Sequence, residues 1–252
     1  MADVWIASQQ LVDPPTDIDV SEDVVVTLRK VLHNDGPYGP VEVEIETWAT
    51  APQDCTAAPG TGNLTSASLP VSANVVIDET WTIHCDARSQ HVFSFENHIE
   101  DPAVADPDLG NNFASAQLTV DVWDQADLNM IDQYVEDPPA GGTIPLGENV
   151  EIWVLTRVKN DGPFGGVDAV AETSATAPAG CDVSPSIHAE EIGNLGGLVV
   201  TVKARFFIRC DEPGWHRFSF DNTITVDQQH VRDPDAGNDT VHTELTVTVT
   251  EP

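Results

Sequence analysis

His33-Asn34-Asp35-Gly36-Pro37-Tyr38-Gly39-Pro40 and, 126 positions further on, Lys159-Asn160-Asp161-Gly162-Pro163-Phe164-Gly165-Gly166 are two copies of one turn. Asn, Asp and Gly tolerate the left-handed backbone that a chain reversal needs, and Pro presets φ for the next turn. Each copy lies between runs in which apolar and polar residues alternate. A turn flanked by strands, used twice, predicts a tandem β protein.

The repeat extends far beyond the turn. Ala2-Asp3-Val4 returns as Ala126-Asp127-Leu128, Asp13-Pro14-Pro15 as Asp137-Pro138-Pro139, and Gly62-Asn63-Leu64 as Gly193-Asn194-Leu195. Cys85-Asp86 matches Cys210-Asp211, and His91 to Asn97 matches His216 to Asn222. Asp106-Pro107-Asp108-Leu109-Gly110-Asn111-Asn112 matches Asp233-Pro234-Asp235-Ala236-Gly237-Asn238-Asp239. The predicted domains are therefore residues 1–124 and 125–252. The offset between copies drifts, which places insertions in loops rather than strands.

Within the first copy, Val4 to Val12 reads as a strand ended by Asp13-Pro14-Pro15. Val24, Val26, Leu28 and Leu32 point one way, matching Val150, Ile152, Val154 and Val158. After the turn, Val41, Val43, Ile45 and Thr47 face inward while Glu42, Glu44 and Glu46 face out; Val167, Ala169 and Ala171 keep that phase. Period two with one charged side means one face on a core and one in water. Trp81, Ile83 and Cys85 share a face, as do Phe206, Ile208 and Cys210, and the two Phe of each His-to-Asn stretch supply bulk. A last strand turns Ala114, Ala116, Leu118, Val120 and Val122 inward, and its twin Val241, Thr243, Leu245, Val247 and Val249. About seven short strands per copy predict an all-β fold of two tandem immunoglobulin-like β-sandwiches. The join, Val122 to Asp127, has no Gly, Ser or Pro run, so it reads as a rigid connection.

Composition narrows the partners. Forty-two acidic residues stand against 10 basic ones, for a net charge of −32, and only Lys30, Lys159 and Lys203 are lysines. Nucleic acid and anionic membranes both require clustered cations, so neither is an expected partner. Self-repulsion of this size is tolerable where salt screens it or divalent cations bind some carboxylates. The apolar runs are short and interrupted, so no membrane insertion is expected. Met1 to Trp5 is strand-like, without a basic stretch followed by an apolar core, and reads as no signal peptide.

The four cysteines fall two per copy, Cys55 and Cys85, then Cys181 and Cys210. The first of each pair lies in a Pro/Ala-rich loop and the second ends a core strand. Recurrence at nearly equal spacing points to one disulfide per copy and an oxidising compartment. Zinc is the alternative, but no C-x-x-C is present and His84 beside Cys85 is matched by Arg209. His91 and His216 recur at a strand start, which suggests a structural hydrogen bond.

An N-x-G-P turn, Pro with Cys, a G-N-L element and D-P-x-x-G-N-[ND] before the last strand together resemble the N-x-G-P repeat of bacterial and archaeal surface proteins. They are also similar to the cell-adhesion-related domain found in bacteria. The resemblance implies immunoglobulin-like modules of extracellular stalks, adhesins and filaments. It covers most of both copies, and it implies no reaction.

Candidate chemistry centres on the acidic loops. Asp101, Asp106, Asp108, Asn111 and Asn112 in one copy, and Asp233, Asp235, Asn238 and Asp239 in the other, are candidate calcium ligands, because Ca²⁺ takes six to eight oxygens from flexible loops. The same residue types also shape tight turns, and the spacing of an EF-hand is missing. Glu42, Glu44 and Glu46 become Asp168, Val170 and Glu172, so that row reads as a solvated sheet face. Trp5, Trp48, Trp153 and Trp215 do not recur at equivalent positions, which argues against a shared sugar platform. No catalytic residues and no other cofactor are expected. The sequence thus predicts a non-catalytic structural module at a cell surface, with other protein subunits, its own copies included, as partners. A glycan- or protein-binding adhesin, with or without calcium, is the alternative. Val4 to Ala7 and Leu245 to Val249 are strand-forming ends, which suggests donation of a strand to a neighbour's open edge.

Overall fold

The computed structural model describes residues 2–60, 62–100, 105–136 and 141–251. The chain divides into two compact units, Met1–Trp123 and Asp124–Pro252, and both are β-sandwiches. Unit 1 holds β1 (Val4–Val12), β2 (Asp17–Asp19), β3 (Val24–Asn34), β4 (Val41–Thr50), β5 (Cys55–Ala58), β6 (Asn63–Leu69), β7 (Asn74–Cys85), β8 (Ser89–Ile99) and β9 (Phe113–Gln125), with a 3₁₀ turn at Leu109–Asn111. One sheet has the order β1-β3-β7-β5; the other is β9-β8-β4-β6, with β2 parallel to the end of β9.

Unit 2 holds β10 (Leu128–Val135), β11 (Thr143–Pro145), β12 (Val150–Asn160), β13 (Val167–Thr176), β14 (Cys181–Ser184), β15 (Ile187–Leu195), β16 (Val200–Cys210), β17 (Gly214–Val226), β18 (Val231–Arg232) and β19 (Thr240–Thr250). Its sheets run β10-β12-β16-β14 and β11-β19-β17-β13-β15. The strands outnumber the seven predicted because β2, β5, β11, β14 and β18 are two to four residues long, too short to show alternation. Of these, β2 and β11 each place one isoleucine, Ile18 or Ile144, into the core beside the last strand. Both ends offered for strand donation are already paired: Val4 to Ile6 with β3, and Leu245 to Val249 with β17.

The repeated turn is a clamp on the first strand of each unit. Asn34 is fully buried. Its Oδ1 accepts from the Gly36 N–H at 3.0 Å and the Asp3 N–H at 3.3 Å, while Nδ2 donates to the Tyr38 carbonyl at 2.9 Å. Asn160 repeats this with the N–H groups of Gly162 (2.9 Å) and Asp127 (3.0 Å) and the carbonyl of Phe164. The glycine is required by proximity rather than by the left-handed backbone expected. Neither Gly36 nor Gly162 has positive φ, but a Cβ on Gly36 would lie 2.6 Å from the Ala2 Cα, and one on Gly162 would lie 2.5 Å from the Asp127 N. Only Gly166, at φ 85°, occupies the left-handed region in these two turns.

Each core is divided by a polar layer. One inward position on each of β3, β4, β7 and β8 in unit 1 is polar, Lys30, Thr47, Glu79 and Asn97, and all four are buried. Lys30 lies between Leu28 and Leu32 on β3, Thr47 follows Ile45 by two on β4, and Asn97 lies between Phe95 and Ile99 on β8. One apolar cluster, around Trp81, Phe93 and Phe95, lies on one side of the layer; the other, around Leu32, Val43, Ile45 and Leu69, lies on the opposite side. Unit 2 has Thr156, Thr173 and Asn222 at the matching positions, with Ala204 in place of Glu79. The inward alternation read from Val26, Leu28 and Leu32 therefore includes a lysine. That lysine is held by the Glu79 carboxylate and by the Thr47 hydroxyl at 2.6 Å. A buried charge without such partners would cost several kcal/mol, on the order of the whole stability of a domain.

Candidate functional site

The acidic loops lie between β8 and β9 in unit 1 and between β17 and β19 in unit 2. In unit 1, Asp106 accepts from the Val4 N–H (3.3 Å) and the Asn112 amide (3.3 Å) through Oδ2, and from the Asp108 N–H (3.0 Å) through Oδ1. Asp108 accepts from the Gly110 N–H at 3.1 Å and so starts the 3₁₀ turn. In unit 2, Asp233 accepts from the Leu128 N–H and, at 2.9 Å, from the Asp235 N–H, and Asp235 accepts from the Gly237 N–H at 3.2 Å. These bonds tie the loop to the first strand, which is the turn-shaping role such residues perform.

Two further carboxylates join the loops. Asn111 donates to Asp3 at 3.5 Å, and Asn238 donates to Asp127 at 2.8 Å. Sequence reasoning left Asp3 and Asp127 out of the site, although both recur in the Ala-Asp-[Val/Leu] repeat. The predicted ligand Asp101 lies outside the described residues.

The loops end on the position where the units diverge. Asn112 and Asp239 are both buried, 0% and 8% exposed, and the Oδ1 of each has no hydrogen-bond partner. Burial, then the neighbouring charges of Asp233, Asp127 and Asp235, push the Asp239 carboxyl up to about 7. Hard oxygen donors of this kind suit Ca²⁺. Among the described residues, however, no three carboxylates have oxygens within 4.8 Å of one another. The described residues of the loops supply donors without a preformed cage.

The cysteines are bonded as Cys55–Cys85 and Cys181–Cys210. Cys55 and Cys181 open the short strands β5 and β14, rather than lying in loops, and each faces its partner directly across the ladder. Both bridges thus join neighbouring strands of one sheet. His91 and His216 come close to the sulfurs, but bonded sulfurs are not thiolate ligands. Each imidazole Nε2 instead lies at hydrogen-bond distance from the carbonyl four residues earlier, Ala87 at 2.9 Å and Glu212 at 3.0 Å.

The remaining candidates stay on the surface. Glu42 and Glu44 are exposed, as are Asp168 and Glu172. Trp215 is 79% exposed, whereas Trp5 packs edge-on against His33 with ring centroids 5.8 Å apart and donates to Asp35. Unit 2 carries two open grooves, of about 430 and 260 Å³. The larger is lined by Glu190, Glu191, Thr201 and Lys203 among apolar neighbours, the smaller by Asp168, Glu191 and Asp227.

No protein-family model matches the chain, and no curated protein matches it. Among solved structures it is similar to the CARDB domain of a Pyrococcus furiosus protein in complex with di-metal ions, at 12% identity over 50% of this chain and 96% of that one, with a TM-score of 0.32. It is also similar to the D0-D1 domain of intimin, at 14% identity over 98% of this chain and 100% of that one, with a TM-score of 0.28. Red sea bream transglutaminase matches at 15% identity and a TM-score of 0.30, over 97% of this chain but only 31% of its own.

Proposed function

We propose that the chain is a non-catalytic structural module, a stalk segment or repeating subunit of an extracellular or filamentous assembly whose partners are other protein subunits. One observation carries this reading: the polar side chains kept between the two copies bond to their own unit. Asn34 and Asn160 clamp first strands, Asp106 and Asp233 tie loops to them, His91 and His216 brace turns, and the cysteines cross-link β5 to β7 and β14 to β16. A repeat built to do chemistry would instead aim its retained polar groups at a shared cleft. Disulfides suit an oxidising compartment outside the cytosol.

The test is light scattering and negative-stain microscopy of the full chain across a salt series. Multimers or filaments support the assembly; a monomer at every salt concentration, with no self-association, overturns the self-assembling form.

A second reading, a calcium-dependent binding module, rests on the unpartnered Oδ1 of Asn112 in unit 1 and on that of Asp239 in unit 2, which stands beside the three carboxylates of Asp127, Asp233 and Asp235. Titration calorimetry with Ca²⁺ tests it, and absence of heat at pH 8 with millimolar ion removes it.

A further inference from the structure

The polar layer of unit 1 contains a nucleophile, a proton acceptor and an electrophile that no role above uses. Lys30 is one of three lysines in a chain of net charge −32, and its side chain is 0% exposed. Its Nζ contacts the Glu79 carboxylate and lies 2.6 Å from the Thr47 hydroxyl. That hydroxyl lies 2.9 Å from Glu79 Oε2 and 2.7 Å from Asn97 Oδ1. Asn97 is itself 0% exposed, and its Nδ2 has no hydrogen-bond partner.

We propose that Lys30 and Asn97 join in an intramolecular isopeptide bond, formed by attack of the lysine amine on the asparagine carboxamide with loss of ammonia. The step balances without any co-reactant. Lys30 passes a proton to Glu79 in direct contact, leaving a neutral amine. The protonated carboxyl, relayed by the Thr47 hydroxyl, polarises the Asn97 carbonyl. Nζ adds to Cγ, a proton moves from Nζ to Nδ2, and the Cγ–Nδ2 bond breaks to release NH₃. The new amide keeps one N–H, and the proton lent by Glu79 returns to it.

Three physical arguments support the step. Desolvation lowers the Lys30 pKa, which favours the nucleophilic free amine. The groups are held one hydroxyl apart inside a close-packed core, where fixed proximity replaces a bimolecular encounter. The product also removes a buried cation and the unpartnered NH₂, both of which are costly in the interior. Because β3 and β8 belong to opposite sheets, the link would bolt the two faces of unit 1 together, which neither disulfide does. Unit 2 has Thr156 and Ala204 where unit 1 has Lys30 and Glu79, so it keeps the asparagine, Asn222, without amine or acid, and no bond forms there.

The inference does not depend on the proposed function. It is tested on the full chain by intact mass spectrometry after reduction and denaturation, followed by proteolytic mapping. The expected mass is one ammonia below that of the sequence, with a branched peptide joining Lys30 to Asn97, and Glu79→Gln is expected to restore the full sequence mass. A wild-type mass equal to that of the sequence overturns the proposal. So does a branched peptide joining Lys30 to a different residue, such as Asn63, whose amide also contacts Glu79. Retention of the link in Glu79→Gln overturns the role given to Glu79.

Discussion

The two units place their buried charge at different levels of the same fold. Unit 1 holds Lys30 and Glu79 in the middle of its core and the neutral Asn112 under its acidic loop. Unit 2 holds Thr156 and Ala204 in the middle and Asp239 under the loop. Strand order, clamp and disulfide are the same in both. A sandwich therefore accepts a buried charge at either place, provided that the charge is answered locally. In the core the answer is a counter-ion in contact, before the proposed amide removes the charge. Under the loop of unit 2, where the neighbouring charges are the carboxylates of Asp233, Asp127 and Asp235, it is a proton.

The comparison breaks most visibly at Glu79. Glu79→Ala strands Lys30 in the core as an unlinked amine and is expected to destabilise unit 1 by at least about 3–5 kcal/mol, the cost of the stranded charge alone, read by hydrogen exchange of β3, β7 and β8, with unit 2 unchanged. Lys30→Thr with Glu79→Ala installs the residues of unit 2 and should be at least about 2 kcal/mol more stable than the single variant. A double variant no better than the single one would show that charge is not the issue.

Disulfide reduction probes what the units share. The bridges close spans of 30 and 29 residues, so each unit should lose about 3–4 kcal/mol, and by the same amount. Unequal losses, followed as separate unfolding transitions in denaturant with and without reductant, would mean that the bridges carry different loads.

Asn34→Ala and Asn160→Ala each leave buried or half-buried N–H groups of the first strand and of the glycine without their side-chain acceptor. Each should cost its own unit about 2–3 kcal/mol, and faster exchange of the amides of Asp3 and Asp127 would report the loosened clamp.

The smallest effect separates the loops. The carboxyl of Asp239 lies near 7 in the folded chain against 3.8 ordinarily, so between those values the folded state binds the extra proton. Unit 2 then loses stability as pH rises from about 4 to about 7 and stays lower above that. Asp239→Asn should remove this slope and stabilise unit 2 at pH 8 by on the order of 1–2 kcal/mol, with little change at pH 4. A slope that survives the substitution, measured by urea unfolding at several pH values, would place its origin elsewhere.

The sandwich was legible because its signals are periodic and repeated: alternation at Val41 to Thr47, the paired Phe of β8 and β17, and turn residues at matching places. The polar layer was not, because a lysine on an inward phase looks like an interruption of the pattern rather than part of it. Of the acidic loop, the aspartates that shape the turn could be read from spacing, whereas Asp3 and Asp127, more than a hundred positions away, could not. In the turn itself, Gly36 and Gly162 are needed for the approach of Ala2 and Ala126 rather than for the left-handed backbone expected, which only Gly166 adopts.

By itself, the sequence determined that the chain is a duplicated all-β protein with two cysteines per copy and an acidic exterior, because period two, turn chemistry and charge are local properties. Only the tertiary structure decided that Lys30 meets Glu79 and Thr47, that Thr47 meets Asn97, and that Asp239 is buried among like charges. Those facts depend on which strands face one another across the sandwich and on how far water is excluded between them, and neither can be read along the chain.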